Sequence, residues 1–227
     1  STPPPPPPPP LAPSPPNPPE PCRIELDLML VLDVSGSMDG QKAALQTFAL
    51  SLVTEFVVGT NLTRVGMVEF NHRATTLTPL SANRTDVVSA IGNVSDPVGW
   101  TSISGGLTEG LAQLRAGGKP CVGPSCVMLV LTDGKQTVLD PSYPGLQGDQ
   151  AAIAAATAVK AYGATLFAVG FGDADPATLT QMASSPSSDH MYFGSNLTDI
   201  TSYFKDSFCT LVISPKAPPP PLPPPSP

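Results

Sequence analysis

Positive charge is scarce in this chain. Lys and Arg total 11 against 18 acidic residues, the formal net charge is -7, and only 13% of residues are charged. With no basic stripe, nucleic-acid binding has no electrostatic footing. Long apolar runs are missing too: none approaches the roughly 18 residues needed to span a bilayer, so no transmembrane segment is expected in this chain. Histidine occurs only at His72 and His190. Neither sits in a Ser/His/Asp arrangement, and Val34-Ser35-Gly36-Ser37 lacks the flanking glycines of a nucleophile elbow. Gly170-Phe171-Gly172-Asp173 has neither the Lys-Ser/Thr of a P-loop nor the third glycine of a dinucleotide fingerprint. A non-enzymatic protein is the expectation. The chain opens at Ser1 with no signal-peptide pattern, as expected of a processed or excised piece of something longer.

Proline is abundant, and uneven. Of 31 prolines, residues 1–21 hold fourteen and residues 215–227 hold nine, leaving eight between. The organisation that follows is a proline-rich arm (1–21), one domain (22–210) long enough to bury its own core, and a second proline-rich arm (211–227). Pro3 to Pro10 and Ser14-Pro15-Pro16-Asn17-Pro18-Pro19 read as polyproline II, so the first arm reaches roughly 65 Å at about 3.1 Å per residue. Such arms serve either as ligands for SH3 or WW modules or as stiff stalks. In composition the Ser-Pro-Pro and Ala-Pro-Pro-Pro-Pro runs resemble the hydroxyproline-rich wall and matrix glycoproteins of plants and green algae.

Four cysteines, Cys22, Cys121, Cys126 and Cys209, allow three pairings. Position argues for Cys22–Cys209, which brackets the domain, and Cys121–Cys126, which brackets a short turn. Their spacing is poor for a four-cysteine zinc site. Four sequons, at Asn61, Asn83, Asn93 and Asn196, lean with the even cysteine count toward a secreted glycoprotein of the extracellular matrix, cell wall or cell surface.

The hydrophobic pattern alternates strand and helix. Apolar strands are expected at 24–32, 65–70, 126–131 and 164–170, with a threonine-rich edge strand at 73–80 ended by Pro79 and a short strand at 191–193. Leu45, Phe48, Leu52 and Phe56 mark a helix of about four turns. Further helices are expected at 85–94, 103–115 and 147–162, after Asp175-Pro176, and as one closing helix at 197–208. His72 adjoins the edge strand, and His190 is placed near the ligand-binding edge. The fold class is α/β: a doubly wound, mostly parallel six-stranded sheet with one antiparallel edge strand and helices on both faces. Ligands of such sheets bind beyond the carboxyl ends of the strands, where strand order reverses.

Three polar segments fall at that edge. Asp33, Ser35 and Ser37 follow the first strand, Thr101 precedes a helix, and Asp133 follows the strand at 126–131. Each alone has a plainer explanation as a helix cap or a turn. Together they offer hard oxygen ligands from three loops, suited to a divalent cation. The set resembles the von Willebrand factor type A family, whose metal-ion-dependent adhesion site uses Asp-x-Ser-x-Ser, a distant Thr and a distant Asp. The resemblance covers about residues 24–208. It implies a Rossmann-like fold, Mg²⁺ (or Mn²⁺ or Ca²⁺) on Asp33, Ser35, Ser37, Thr101 and Asp133, and a protein ligand whose Asp or Glu carboxylate completes the coordination shell. Where the family often has Gly-Gly before the Thr, this chain has Gly99-Trp100. Trp100 either packs in the core or contacts a partner.

The expected function is an extracellular, metal-dependent adhesion domain on proline-rich stalks, with other matrix or cell-wall glycoproteins among its partners. A matrix module whose metal site is only stabilising, and an intracellular proline-motif scaffold, are the competing readings.

Overall fold

The computed structural model describes residues 20–122, 125–205 and 207–213. The arms at 1–19 and 214–227 therefore lie outside the described residues. Six strands form one sheet in the order β3-β2-β1-β4-β5-β6: β1 Leu26–Asp33, β2 Thr63–Phe70, β3 Ala74–Ser81, β4 Cys126–Thr132, β5 Thr165–Gly170 and β6 Met191–Phe193. All pairings are parallel except β2 with β3. The chain builds outward from β1 through β2 and β3, then returns to β1's other side with β4. Strand order therefore reverses between β1 and β4.

Central strands covered on both faces are apolar at most positions, and all eight residues of β1 and all seven of β4 are buried, Asp27 being paired with Arg64. Leu26, Leu28, Leu30 and Leu32 meet one layer, made by α1 Lys42–Thr54, α2 Arg84–Gly92, α7 Leu197–Phe204 and α8 Phe208–Ile213. Met29 and Val31 meet the other, made by α3 Ile103–Ala116, α4 Asp149–Ala161 and α5 Pro176–Met182. The stripe on α1 buries Leu45, Phe48 and Leu52 as the spacing predicts, but the helix stops at Thr54, and Phe56 enters the core from the segment bridged to Cys22. Asp175 caps α5, accepting from the Thr178 N–H at 2.9 Å, with Pro176 at the first helical position.

Three local expectations are corrected. The edge strand does not end at Pro79 but runs to Ser81 with the proline inside it. An edge strand tolerates proline because one side of its backbone needs no ladder partner. The single closing helix at 197–208 is two helices, broken at Lys205, whose backbone leaves the helical region (φ -58°, ψ 131°). Phe204 and Phe208, on either side of the break, both enter the core, ring centroids 5.6 Å apart. Residues 187–190 form a short helix, α6, ending at His190. That histidine is not at the ligand-binding edge. It is buried, edge-on to Phe167 at 5.0 Å, with Nδ1 3.0 Å from the Pro186 carbonyl oxygen.

Both disulfides pair as position argued, Cys22–Cys209 and Cys121–Cys126, and no cysteine among the described residues is free. The four-cysteine zinc reading is thereby excluded. Cys22 pairs by backbone with the segment after α1, its N–H donating to the Glu55 carbonyl at 2.6 Å. Because α1 runs back from the carboxyl ends of the strands, Cys22–Cys209 lies at the opposite pole. Residues 211–213 continue α8, and Leu211 and Val212 are buried against the core.

Candidate metal centre

Register alone brings the two carboxylate-bearing strand ends together. Leu32 pairs with Leu131, so Asp33 falls beside Thr132 and one residue from Asp133. Asp33, the last residue of β1, is fully buried. Its Oδ1 accepts from the Ser35 N–H at 2.8 Å, and its Oδ2 accepts from the Thr132 hydroxyl at 2.6 Å. Ser35 is buried, and its Oγ lies 3.2 Å from Ser37 Oγ. Ser37 in turn donates to Asp133 Oδ1 at 2.6 Å. Four of the five sequence-derived ligands thus form one connected cluster.

Thr101 joins through the backbone and through open space. Its carbonyl accepts from the N–H groups of Thr137 (2.9 Å) and Val138 (3.2 Å), and its N–H donates to Thr137 Oγ1 at 2.8 Å. Its hydroxyl and that of Ser37 border the same void. A Cβ on Gly134 would stand 3.5 Å from Ser37 Oγ and 3.8 Å from Thr101 Oγ1. The loop before Thr101 is pinned over the first turn by Gly36 N–H to the Gly99 carbonyl (2.9 Å) and Val98 N–H to the Val34 carbonyl (2.9 Å). Glu69, buried on β2, accepts from the Ser95 N–H at 2.8 Å and from its hydroxyl, holding the start of that loop. Gly99 turns with φ +81°, and Trp100 points outward, 70% exposed. The core position considered for Trp100 is excluded.

Electrostatics favour a cation. Burial raises the Asp33 carboxyl to about 6, opposed by hydrogen bonds from Ser35 and Thr132 and reinforced by the nearby Asp133. Burial likewise raises Asp133, with Asp173 adding repulsion and the Ser37 hydrogen bond opposing it. The hydrogen-bond donors to Asp33 are neutral, so its charge has no cationic side chain bonded to it. Two carboxylates, three hydroxyls and room beside Gly134 fit a hard divalent ion that keeps some of its water. They do not fit a soft-metal site, and among the described residues no group of three or more His, Cys, Asp or Glu is arranged to hold a metal.

Sequence reasoning missed Thr132, Gln136 and Thr137, which buttress the candidate ligands rather than present themselves as ligands. Their only signal is position beside Asp133. His72 is exposed and lies against Gly99, where a Cβ would come 2.9 Å from its Nδ1. The sequon residues Asn61, Asn83, Asn93 and Asn196 are all exposed. Asn83 and Asn196 also cap α2 and α7, accepting from the N–H groups of Thr85 and Asp199.

Residues 27–206 match the von Willebrand factor type A domain. Bovine matrilin-1 is 27% identical over 196 residues, covering 81% of this chain and 33% of matrilin-1. The mouse collagen alpha-5(VI) chain is 27% identical over 184 residues, covering 78% of this chain and 6% of the collagen chain. This chain thus spans a third or less of the length of either relative. Among solved structures, proximal thread matrix protein 1 from the mussel byssus, with a zinc-occupied MIDAS motif, superposes with a TM-score of 0.67 at 21% identity, covering 86% of this chain and 47% of its own. Manganese-loaded TRAP protein of Plasmodium vivax superposes with a TM-score of 0.61 at 18% identity, covering 81% and 73%. Strand order and the matched span agree: the chain belongs to the von Willebrand factor type A domain family.

Proposed function

We propose that this chain is a secreted adhesion or protein-interaction module that captures a partner's Asp or Glu carboxylate through a divalent cation. The observation that carries the reading is Asp33: a carboxylate buried completely, bonded only to neutral donors, at the reversal point of the sheet. Asp33, Ser35, Ser37, Thr101 and Asp133 would hold the ion directly or through water, Mg²⁺ in the first instance and Mn²⁺ or Ca²⁺ as alternatives. When bound, it supplies an electrophilic position at which a partner carboxylate completes the shell. The zinc- and manganese-bearing neighbours support a divalent ion at this position.

The chain's own residues do the rest. Asp33 and Asp133 provide the fixed negative charge, while the serine and threonine hydroxyls add oxygen ligands without further charge. That leaves the site short of anions and receptive to one more. Trp100, with exposed Val98 and Leu139 on the loops bonded to the site, offers apolar contact beside the captured carboxylate. Disulfides and exposed sequons support an extracellular matrix, cell-wall or cell-surface setting, with glycans on Asn61, Asn83, Asn93 and Asn196 and other matrix glycoproteins as partners. The arms expected at 1–21 and 211–227 act as proline-rich stalks in this reading, except that 211–213 belong to α8.

The competing reading is a matrix module in which the ion only stabilises the fold. A pulldown from native extracellular matrix, with and without EDTA, separates the two. Adhesion predicts capture that is lost with EDTA and with Asp33→Ala. Capture unchanged by both would leave only the stabilising role.

A further inference from the structure

One buried polar side chain joins the segments that carry Thr101 and Asp133. Gln136 is 5% exposed. Its Oε1 accepts from the Ser104 N–H at 3.0 Å, and its Nε2 donates to Ser104 Oγ and to the Val138 carbonyl, both at 2.8 Å. Its backbone N–H donates to Asp149 Oδ1 at 3.0 Å, and Asp149 Oδ2 accepts from the Thr178 hydroxyl at 3.2 Å. One residue therefore ties the loop after β4 to the first turns of α3, α4 and, through Asp149, α5. Ser104 lies three residues after Thr101. Thr137 and Val138, the next two residues after Gln136, hold the Thr101 backbone.

Burying an amide is costly unless its hydrogen bonds are made. Here they are made, and a satisfied buried network is stiff. A leucine would fill similar space but would leave the two loops joined only by the Thr137 and Val138 bonds to Thr101, with no tie to Ser104.

We propose that Gln136 is a positioning residue for the cation site, setting the spacing between the Thr101 and Asp133 loops and with it the preference for a small ion over a large one. This rests on the metal-binding reading above. Mg²⁺ demands near-octahedral ligands at about 2.0–2.1 Å, whereas Ca²⁺ accepts about 2.3–2.6 Å and irregular geometry. Loosening the loops therefore weakens Mg²⁺ binding more than Ca²⁺ binding.

Calorimetric titration of Mg²⁺ and Ca²⁺ into the whole chain tests this, using wild type, Gln136→Met and Ser104→Ala, with Asp33→Ala as the site control. In Gln136→Met, Mg²⁺ affinity is expected to fall about tenfold or more, and Ca²⁺ affinity by no more than about threefold. Ser104→Ala shifts the ratio the same way by less, and it carries the comparison alone if Gln136→Met fails to fold. A parallel loss for both ions, the mark of a merely structural residue, overturns the proposal, as does an unchanged ratio. Failure of the metal reading shows separately, as Mg²⁺ affinity that survives Asp33→Ala.

Discussion

A carboxylate raised to about 6 by burial is a liability in a neutral solution. Asp33 has a folded-state value above its ordinary 3.8, so the folded protein holds the proton more tightly than the unfolded chain does. The stability this contributes is fully present below about pH 4 and is lost as pH rises through about 6. At pH 7.5 the metal-free domain is then destabilised by about 3 kcal/mol relative to a neutral residue at this position. Urea unfolding in EDTA should show Asp33→Asn gaining on wild type across that window, with the two converging toward pH 4. Saturating Mg²⁺ should stabilise wild type and leave Asp33→Asn unmoved. Equal pH profiles for the two proteins would mean that Asp33 is not held as a buried charge.

At the scale of elements, the site depends on how closely α3 lies on the sheet. A Cβ on Gly106 would come 2.5 Å from Phe70 Cδ1 and 3.0 Å from Val31 Cγ1, so the helix approaches β1 and β2 only because that side chain is absent. Gly106→Ala improves helix propensity by up to about 1 kcal/mol, yet overpacking of this kind costs about 1–3 kcal/mol. Net destabilisation is expected, together with weaker Mg²⁺ binding, because α3 begins two residues after Thr101. Gly92→Ala, at the end of α2 with nothing within 4 Å of the added carbon, is the control and should leave both properties unchanged. Thermal melts and Mg²⁺ titration of the pair check this. The closing segment reads as one helix in the sequence and folds as two. Phe204 and Phe208 stand four residues apart and would share one face of an unbroken helix, so the apolar pattern carries no sign of the extended backbone at Lys205 that separates α7 from α8.

Across the whole molecule, the two ends of the domain are clamped at one pole and the candidate metal centre sits at the other. Cys22 and Cys209 are 187 residues apart in sequence, and closing so long a loop contributes about 5 kcal/mol in the chain-entropy model, an upper bound. Cys22→Ser/Cys209→Ser should therefore unfold at a markedly lower urea concentration while binding Mg²⁺ with unchanged affinity. A matching loss of affinity would show that the poles are coupled through the sheet. The clamp also directs any pull between the two ends of the domain through the disulfide rather than through the strands.

Much of this was legible in the chain itself. The mostly apolar stretch at 24–32, unbroken from Leu28 to Leu32, and the unbroken run at 126–131 specify central strands, because a strand covered on both faces is apolar on both. Asp33, Ser35, Ser37, Thr101 and Asp133 stood out because hydroxyls and carboxylates at strand ends serve few other purposes together. What composition and spacing could not supply was contact between distant segments. Register places Asp33 beside Thr132, the Gly99 turn sends Trp100 outward, and the fold buries His190 against Phe167. Gln136 carried no signal beyond its nearness to Asp133, since an amide in a loop becomes a tie between helices only when packing seals it. Local pattern dictates which face of an element is apolar and which residues can ligate. Only the assembled sheet decides which of them meet.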